Sequence, residues 1–436
     1  MTHFRSYLLL FALCLTAGFT FAPTLLAQGF YTDFGKNRVQ YQDFIWSYYE
    51  SENFMTYFYQ GGQDIARFTV QYAEQCIGEI ESRLEYPANS KIEIMLYHNL
   101  SDLKQTNIGL AIEQNNTGGV TKIIGNKIFV HFDGNYKNLE RRLREGIARV
   151  LVQKMIFGNT IQEILQNAVL LNLPDWFVNG LVSYIGKDWD TNLDDRLRRG
   201  ILAGEFTNFH TLTGENATFA GHALWYYISQ VHGQSAIPNL LYLTRINRSV
   251  ESGFLFVLGN TVKGTVQEFN NYYQNQYIAE TSGKQTINPS QAIVKTTKQQ
   301  QRRNVKLDEV KISPNGRHIA YTTGEIGKHI VYLYDTQTNK KKVLLRNGFK
   351  SYSLAFHDNY PLLAWDKQSQ QLAIVYERRN QIKLLLYNTA DETKSFSNDI
   401  VKFQQVTSIA FTNDARKLVM SAVQNGVSDI FIDRKS

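Results

Sequence analysis

The stretch Arg141-Arg142-Leu143-Arg144-Glu145-Gly146-Ile147-Ala148-Arg149 decides how this chain is interpreted, together with Trp176-Phe177-Val178-Asn179-Gly180-Leu181 downstream. Apolar residues recur at helical spacing in and just after the first stretch, at Leu143, Ile147, Val150 and Leu151. Gly158 then offers a helix stop. Asn172 and Pro174 are typical of an N-cap region followed by a first-turn proline. The sequence therefore predicts two amphipathic helices that follow one another along the chain.

These two helices resemble the core helices of a gluzincin-type zinc metallopeptidase, of the peptidase-MA-like kind found in bacterial envelope proteins. In that family the first helix carries His-Glu-x-x-His, and the second carries Trp-x-x-Glu-Gly, whose glutamate is the third metal ligand. The corresponding stretches here are Arg144–Ala148 and Trp176–Gly180. The run Leu173-Pro174-Asp175-Trp176-Phe177 and the strand–helix–strand–strand order expected before the first helix also match the family.

The residues at the metal-ligand positions depart from that family. Arg144 and Ala148 stand where the resemblance places two histidines, and Asn179 stands at the third ligand position. Zinc prefers imidazole, thiolate or carboxylate, whereas these residues offer a cation without a lone pair, a methyl group and a neutral carboxamide. Glu145 keeps the position of the general base, but that base acts on a metal-bound water. The resemblance therefore implies a peptidase fold with a lost zinc site and no cofactor.

The same residues have a simpler interpretation. The first stretch is also compatible with any amphipathic helix that has a solvated basic face. In that case Glu145 would pair with Arg141 or Arg149 at a spacing of four residues. His98 and His131 lie at predicted strand ends without a partner at ligand spacing, so we expect them to be polar residues at a sheet edge.

The N-terminal segment and the composition indicate an exported globular protein. Residues 1–27 have a basic start, an apolar run and a small-residue site at Ala27, which predicts a cleavable signal peptide, with a membrane anchor as the alternative. Within residues 28–436, Cys76 is the only cysteine, so we expect a packed core residue and no internal disulfide. No later apolar run is long enough to span a membrane. We expect the protein in the periplasm or associated with the outer membrane.

The charge of the chain does not favour nucleic acid as a partner. The 436 residues carry a formal net charge of +7. The basic residues lack the interleaved aromatic side chains of a single-strand-binding platform. We therefore expect a protein or peptide partner in the cell envelope.

The C-terminal part contains an internal repeat. The stretches beginning at Val310, Leu363 and Ile409 share a pattern of two strands around a polar turn, with a period of about 45 to 53 residues, the length of a propeller blade. Ile319, Leu372 and Leu418 correspond, as do Asp335, Asn388 and Asp433. The turn Ser313-Pro314-Asn315-Gly316 resembles that of TolB-like, WD-repeat-like blades. The alternative is a small open antiparallel sheet.

The predicted fold class is α+β, with a mixed α/β and helical metallopeptidase-like domain before an incomplete all-β propeller-like domain. The expected order is a signal peptide at 1–27, a peptidase-like domain at 28–278 and a linker at 279–304. The peptidase-like domain divides into an α/β part at 28–135 and a helical part at 136–278. About three blades follow at 305–436, in what we expect to be a truncated version of a longer chain.

Three functions follow from this organisation as hypotheses. The first is a catalytically inactive envelope protein that serves as a protein- or peptide-binding scaffold, in envelope assembly or transport. The second is an active zinc metallopeptidase with an atypical site. The third is a periplasmic glycan-binding protein that uses exposed aromatic residues.

Overall fold

The computed structural model describes residues 43–106, 125–159, 162–163, 167, 171, 173–283, 292–294, 297–303, 305–325, 327–348, 360–378, 381–397, 400, 402–424 and 427–434. Helices and several small sheets are combined, in agreement with the α+β class. The expected signal peptide at 1–27 and Asn172 lie outside the described residues.

The chain begins with a mixed four-stranded sheet in the order β1-β2-β3-β4. Its strands are β1 Ser47–Glu50, β2 Phe54–Phe58, β3 Ile92–Tyr97 and β4 Lys127–His131. β1 pairs antiparallel with β2, while β2, β3 and β4 are parallel. Helix α1, Gln63–Leu84, crosses from β2 to β3, and its Ile65, Ile77 and Ile80 are buried at helical spacing. The short helix α2, Leu100–Lys104, follows β3.

A helical part follows this sheet. Its helices are α3 Tyr136–Phe157, α4 Asp175–Gly186, α5 Thr191–Leu202, α6 Gly214–His232, α7 Ala236–Asn247, α8 Val250–Leu258 and α9 Val262–Thr281. The Asn135 side chain caps α3 by accepting a hydrogen bond from the Lys137 N–H, and Gly158 ends the helix at a φ of 96°. Pro174 is the N-cap residue of α4 and not part of its first turn, so that detail of the sequence prediction is wrong by one position.

Helices α4 and α6 pack backbone to backbone. A Cβ atom on Gly180 would lie 2.5 Å from the Gly221 Cα, and one on Gly221 would lie 1.9 Å from the Trp176 carbonyl oxygen. The Trp225 indole N–H donates to the Phe177 carbonyl at 2.9 Å across the same contact. Both tryptophans are almost fully buried in a core that extends from the first sheet through α9.

Three antiparallel sheets follow the short helix α10, Lys298–Arg302. Their orders are β5-β6-β7-β8, β12-β11-β10-β9 and β13-β14-β15, so each is a simple meander. The first has β5 Lys306–Ile312, β6 His318–Glu325, β7 Lys328–Asp335 and β8 Lys340–Asn347. The second has β9 Leu362–Trp365, β10 Gln371–Arg378, β11 Gln381–Asn388 and β12 Lys394–Ser397. The third has β13 Gln405–Phe411, β14 Lys417–Gln424 and β15 Val427–Arg434.

The first turn of each sheet is built in the same way. Gly316, Ser369 and Ala415 have φ values of 72°, 62° and 57°. Ser313, Asp366 and Thr412 lie three positions before these residues, and their carbonyl groups accept hydrogen bonds from the N–H groups of these residues. The side chain of each also accepts a hydrogen bond from the backbone N–H five residues after it, namely that of His318, Gln371 and Lys417. Glycine adopts the left-handed conformation without steric cost, whereas serine and alanine do not, so this geometry is imposed by the surrounding sheet. The common turn supports one structural unit repeated three times.

The strand register corrects one detail of the sequence repeat. His318 pairs with Asp335 and Gln371 pairs with Asn388, but Asp433 pairs with Leu418. By register, the third equivalent of Asp335 is therefore Arg434, one residue later than the sequence pattern indicated.

Neighbouring sheets share a hydrophobic core. Residues of β6 and β7 pack on β10 and β11, and residues of β10 pack on β14.

Within the described residues, the sheets also contact the first part of the chain. Val423 of β14 belongs to the large core of the helical part, and a Cβ on Gly134 would lie 2.7 Å from its Cγ2. The Lys306 ammonium lies 3.9 Å from the Glu215 carboxylate of α6. Among the helices described, none combines the length and the hydropathy that a bilayer crossing requires.

We predict that Gly221→Ala lowers the free energy of unfolding by about 1–3 kcal/mol or more, because its methyl group would overlap the Trp176 backbone. Gly78→Ala is the matched control, since a Cβ there meets no atom within 4 Å and alanine favours the α1 helix. Urea titration of both variants measures the difference. Equal stability of the two variants would contradict the close packing of α4 on α6.

Candidate functional site at the junction of α3 and α4

Helix α3 lies between the sheet and α4 with little space on either side. A Cβ on Gly146 would lie 2.5 Å from the Ile128 Cγ2 of β4, and one on Gly186 would lie 2.2 Å from the Glu145 Cγ. Glycine at both positions therefore permits the close approach. The segment that resembles the peptidase motif is thus packed on both sides.

Arg144 joins three elements through its guanidinium group. Its Nη1 and Nη2 donate to the two carboxylate oxygens of Glu79 on α1, at 2.8 and 3.0 Å. Its Nε and Nη2 also donate to the Ile185 carbonyl of α4, at 3.3 and 3.2 Å. The side chain is only 13% exposed. A paired, planar fork of this kind has fixed geometry and is stronger than a single neutral hydrogen bond.

The pKa shifts of Arg144 and Glu79 both favour the charged form of the group. The hydrogen bond to Glu79 raises the pKa of Arg144 above its ordinary value, and the hydrogen bond from Arg144 lowers the pKa of Glu79. Both groups are therefore charged at neutral pH. A permanently protonated guanidinium cannot coordinate a metal ion.

The other two ligand positions are also filled by protein contacts. The Ala148 methyl group is fully buried in the hydrophobic core. The Asn179 Oδ1 accepts a hydrogen bond from Arg149 Nη1 at 3.0 Å. Within the described part of the chain, no hydrogen bond joins Arg144 to Asn179, and each is held by a different partner. This donor set does not fit a zinc ion.

Glu145 is paired with the arginine one turn before it. Its Oε1 accepts from Arg141 Nη1 at 2.8 Å, a spacing of four residues along α3. Of the two partners that the sequence left open, Arg141 makes the ion pair, while Arg149 takes Asn179. Glu145 also lies directly against Gly186 of α4. Along the chain, its position corresponds to that of the general base in the family that the sequence resembles.

A fourth arginine fixes the start of α3 to the sheet. Arg142 Nη2 donates to the Asp133 carboxylate at 2.8 Å, and Nη1 donates to the His131 carbonyl at 2.9 Å. Desolvation lowers the pKa of Arg142, and the Asp133 carboxylate opposes that shift. Arg142, Arg144 and Arg149 therefore bind α3 to neighbouring elements, so the basic face of this helix is only partly solvated.

His98 and His222 are the two most deeply buried histidines of the described residues. His98 is 4% exposed and stacks on the Tyr59 ring at 3.8 Å, so the expectation of a polar residue at a sheet edge is wrong for His98. His222 is 1% exposed, and its Nδ1 lies 3.0 Å from the Ser183 Oγ. Within the described structure, the Nε2 atoms of both rings have no hydrogen-bond partner. Desolvation lowers the pKa of each to about 4, so both are neutral at pH 7.

No metal-binding cluster is found in the described residues: no group of three or more His, Cys, Asp or Glu side chains there could hold an ion. Cys76 is a buried free thiol of α1, and burial raises its pKa to about 12. It is therefore a packed core residue, as the sequence indicated.

The partners of the candidate residues could not be identified from the sequence. Glu79 lies on another helix, and the Ile185 acceptor is a backbone carbonyl, so neither has a local signal. The Arg149–Asn179 contact depends on the packing of α3 on α4. Only the Arg141–Glu145 pair follows from helical spacing alone.

No protein-family model and no curated protein matches the chain. Among solved structures, TolB from Acinetobacter baumannii is 14% identical with a TM-score of 0.24, and the match covers 30% of each chain. The β-propeller domain of the Trilobed protease from Pyrococcus furiosus is 9% identical with a TM-score of 0.22, over 30% of this chain and 44% of that domain. An oligogalacturonate lyase from Vibrio parahaemolyticus is 13% identical with a TM-score of 0.22, over 33% of this chain and 38% of that chain.

The matched segment spans less than half the length of each of these structures. Structural neighbours of this chain thus include TolB and propeller domains. The three sheets share their strand order and a common first turn.

Proposed function

We propose that this chain is a catalytically inactive, metallopeptidase-like protein of the bacterial cell envelope that acts as a protein- or peptide-binding scaffold. The observation that carries the proposal is the guanidinium of Arg144, which occupies a metal-ligand position of the resembled family and is bound to Glu79 and to the Ile185 carbonyl. In the resembled family, two of the zinc ligands are lone-pair donors one helical turn apart. Here one position holds this cation and the other holds the buried Ala148 methyl group.

The alternative of an active zinc peptidase has less support. Activity would require Arg144 to leave two acceptors and a donor to replace Ala148, which has no polar atom in its side chain. Leaving Glu79 without Arg144 would also remove a charge-assisted pair from α1. The gluzincin resemblance itself remains part of the proposal, since it rests on the sequence stretches around Arg144 and Trp176.

Edge strands of the blade-like sheets support a protein or peptide partner. β5 and β15 are edge strands of their sheets, each paired with one neighbouring strand. On β5, Val310 and Ile312 are 55% and 60% exposed, and on β15, Ile430 and Ile432 are 71% and 60% exposed. Exposed apolar side chains on an open strand are typical of surfaces that accept another chain. A role in envelope assembly or transport would be consistent with such a surface.

We predict that the purified protein contains no stoichiometric zinc and cleaves no general peptidase substrate, because no metal-ligand set is present at α3 and α4. Elemental analysis and a fluorogenic casein assay with added zinc measure both properties. Glu145→Ala and Asn179→Ala are the matched variants. Stoichiometric zinc or zinc-dependent cleavage that either substitution removes would favour the active peptidase and overturn the proposal.

We predict that the double variant Ile312→Glu with Ile430→Glu loses the partner that the wild-type chain captures from envelope extract, since charges on both edge strands would oppose chain addition. Phe256→Glu is the control, because Phe256 is 68% exposed but lies on α8. Quantitative mass spectrometry compares the proteins captured by the wild type, the double variant and the control. Identical capture by all three would exclude the edge strands as the binding surface.

A further inference from the structure

An open groove of about 550 Å³ lies between α6, α9 and the start of α5, apart from the α3–α4 junction. Trp189 precedes α5, Tyr226 and Gln230 belong to α6, and Tyr272 and Gln276 belong to α9. The volume falls within the range of about 300–1,000 Å³ that is usual for small-ligand sites. Three separate elements therefore converge on one concave surface.

Aromatic side chains form much of this surface. Trp189 and Tyr226 stack with ring centroids 4.5 Å apart and planes inclined by 6°. Tyr272 packs edge-on against Tyr227 and Tyr273 and keeps 50% of its surface exposed. Because the rings hold one another in place, a ligand would find a preformed apolar surface at little entropic cost.

Hydrogen-bonding groups surround the rings. Thr191, Asp194, Gln230 and Gln276 line the groove together with the tyrosine hydroxyl groups. Gln230 and Gln276 are exposed and carry both donors and acceptors. The Gln276 Nε2 donates to the Glu280 carboxylate at 3.0 Å, so its Oε1 is the group that accepts from a ligand. Such a lining can satisfy many hydroxyl groups while the rings contact apolar C–H bonds. A sugar ring presents this combination, with C–H groups on its faces and hydroxyl groups at its edge.

The charges in the groove favour a neutral ligand. The described lining contains no lysine or arginine, and the carboxylates of Asp190 and Asp194 would repel an anion. Asp190 is already paired with the Lys187 ammonium at 2.8 Å and caps α5 through the Leu193 N–H. Asp194 Oδ1 accepts from the Tyr277 hydroxyl at 2.7 Å. These partners reduce the attraction that the groove would offer to a cation.

We propose that this groove binds a neutral oligosaccharide, with the aromatic side chains contacting the sugar faces and Asp194, Gln230 and Gln276 hydrogen-bonding the hydroxyl groups. The site is independent of the α3–α4 junction. It therefore holds whether or not the scaffold proposal does.

The test is isothermal titration calorimetry of the full chain with soluble neutral tetrasaccharides, namely those of β-glucose, α-glucose, xylose and N-acetylglucosamine. We expect saturable binding of at least one of them, weakened about tenfold by Tyr272→Ala through loss of aromatic contact. Gln276→Ala, an exposed position, is the second variant and should also weaken binding. Tyr242→Ala is the matched control, because Tyr242 is 57% exposed on α7 and lies outside the groove.

Failure to bind any of the four sugars would overturn the proposal. Binding that both groove variants leave unchanged, with each variant folded by circular dichroism, would overturn it as well. Tetramethylammonium is the cationic probe: saturable binding of this ion without any sugar binding would assign the groove to a cation instead.

Discussion

The guanidinium of Arg144 is the interaction on which the arrangement of the first part of the chain depends. It bonds to a carboxylate of α1 and to a backbone carbonyl of α4, so one side chain of α3 connects three helices. In the same way, Arg142 donates to Asp133 just after β4, and Arg149 donates to Asn179 of α4. A buried arginine is stable only when its donors are satisfied, and these acceptors satisfy them.

The same contacts account for the proposed loss of chemistry. A zinc site requires side chains that converge with free lone pairs, whereas these side chains diverge toward separate partners. The α3–α4 interface is held by the hydrogen bonds from Arg144 to the Ile185 carbonyl and from Arg149 to Asn179, and by the close approach of Glu145 to Gly186. Under this proposal the segment Arg144–Ala148 packs against its neighbours, and other surfaces of the molecule bind the partner.

Much of the fold could be predicted from local patterns. The expected strand–helix–strand–strand order corresponds to β2, α1, β3 and β4, and the two expected helices that follow are α3 and α4. β1 was missed, since its four residues are mostly exposed and show no alternating burial. The repeat follows from the corresponding strand positions of the three stretches, although the register of β15 moves the third equivalent of Asp335 to Arg434. The candidate site was only partly predictable, because Glu79 and the Ile185 carbonyl meet Arg144 through tertiary packing that leaves no signal near residue 144.

The most direct measurement of the central claim is a double-mutant cycle on Arg144→Met and Glu79→Gln, with free energies of unfolding from urea titration. The bidentate geometry and the 13% exposure of Arg144 predict a coupling energy of about 1 kcal/mol or more, even though Glu79 is 46% exposed. The Arg67–Asp64 pair, 3.6 Å apart and about two-thirds exposed on both sides, should give a coupling close to zero. Equal, negligible coupling in both cycles would show that Arg144 does not hold these helices together.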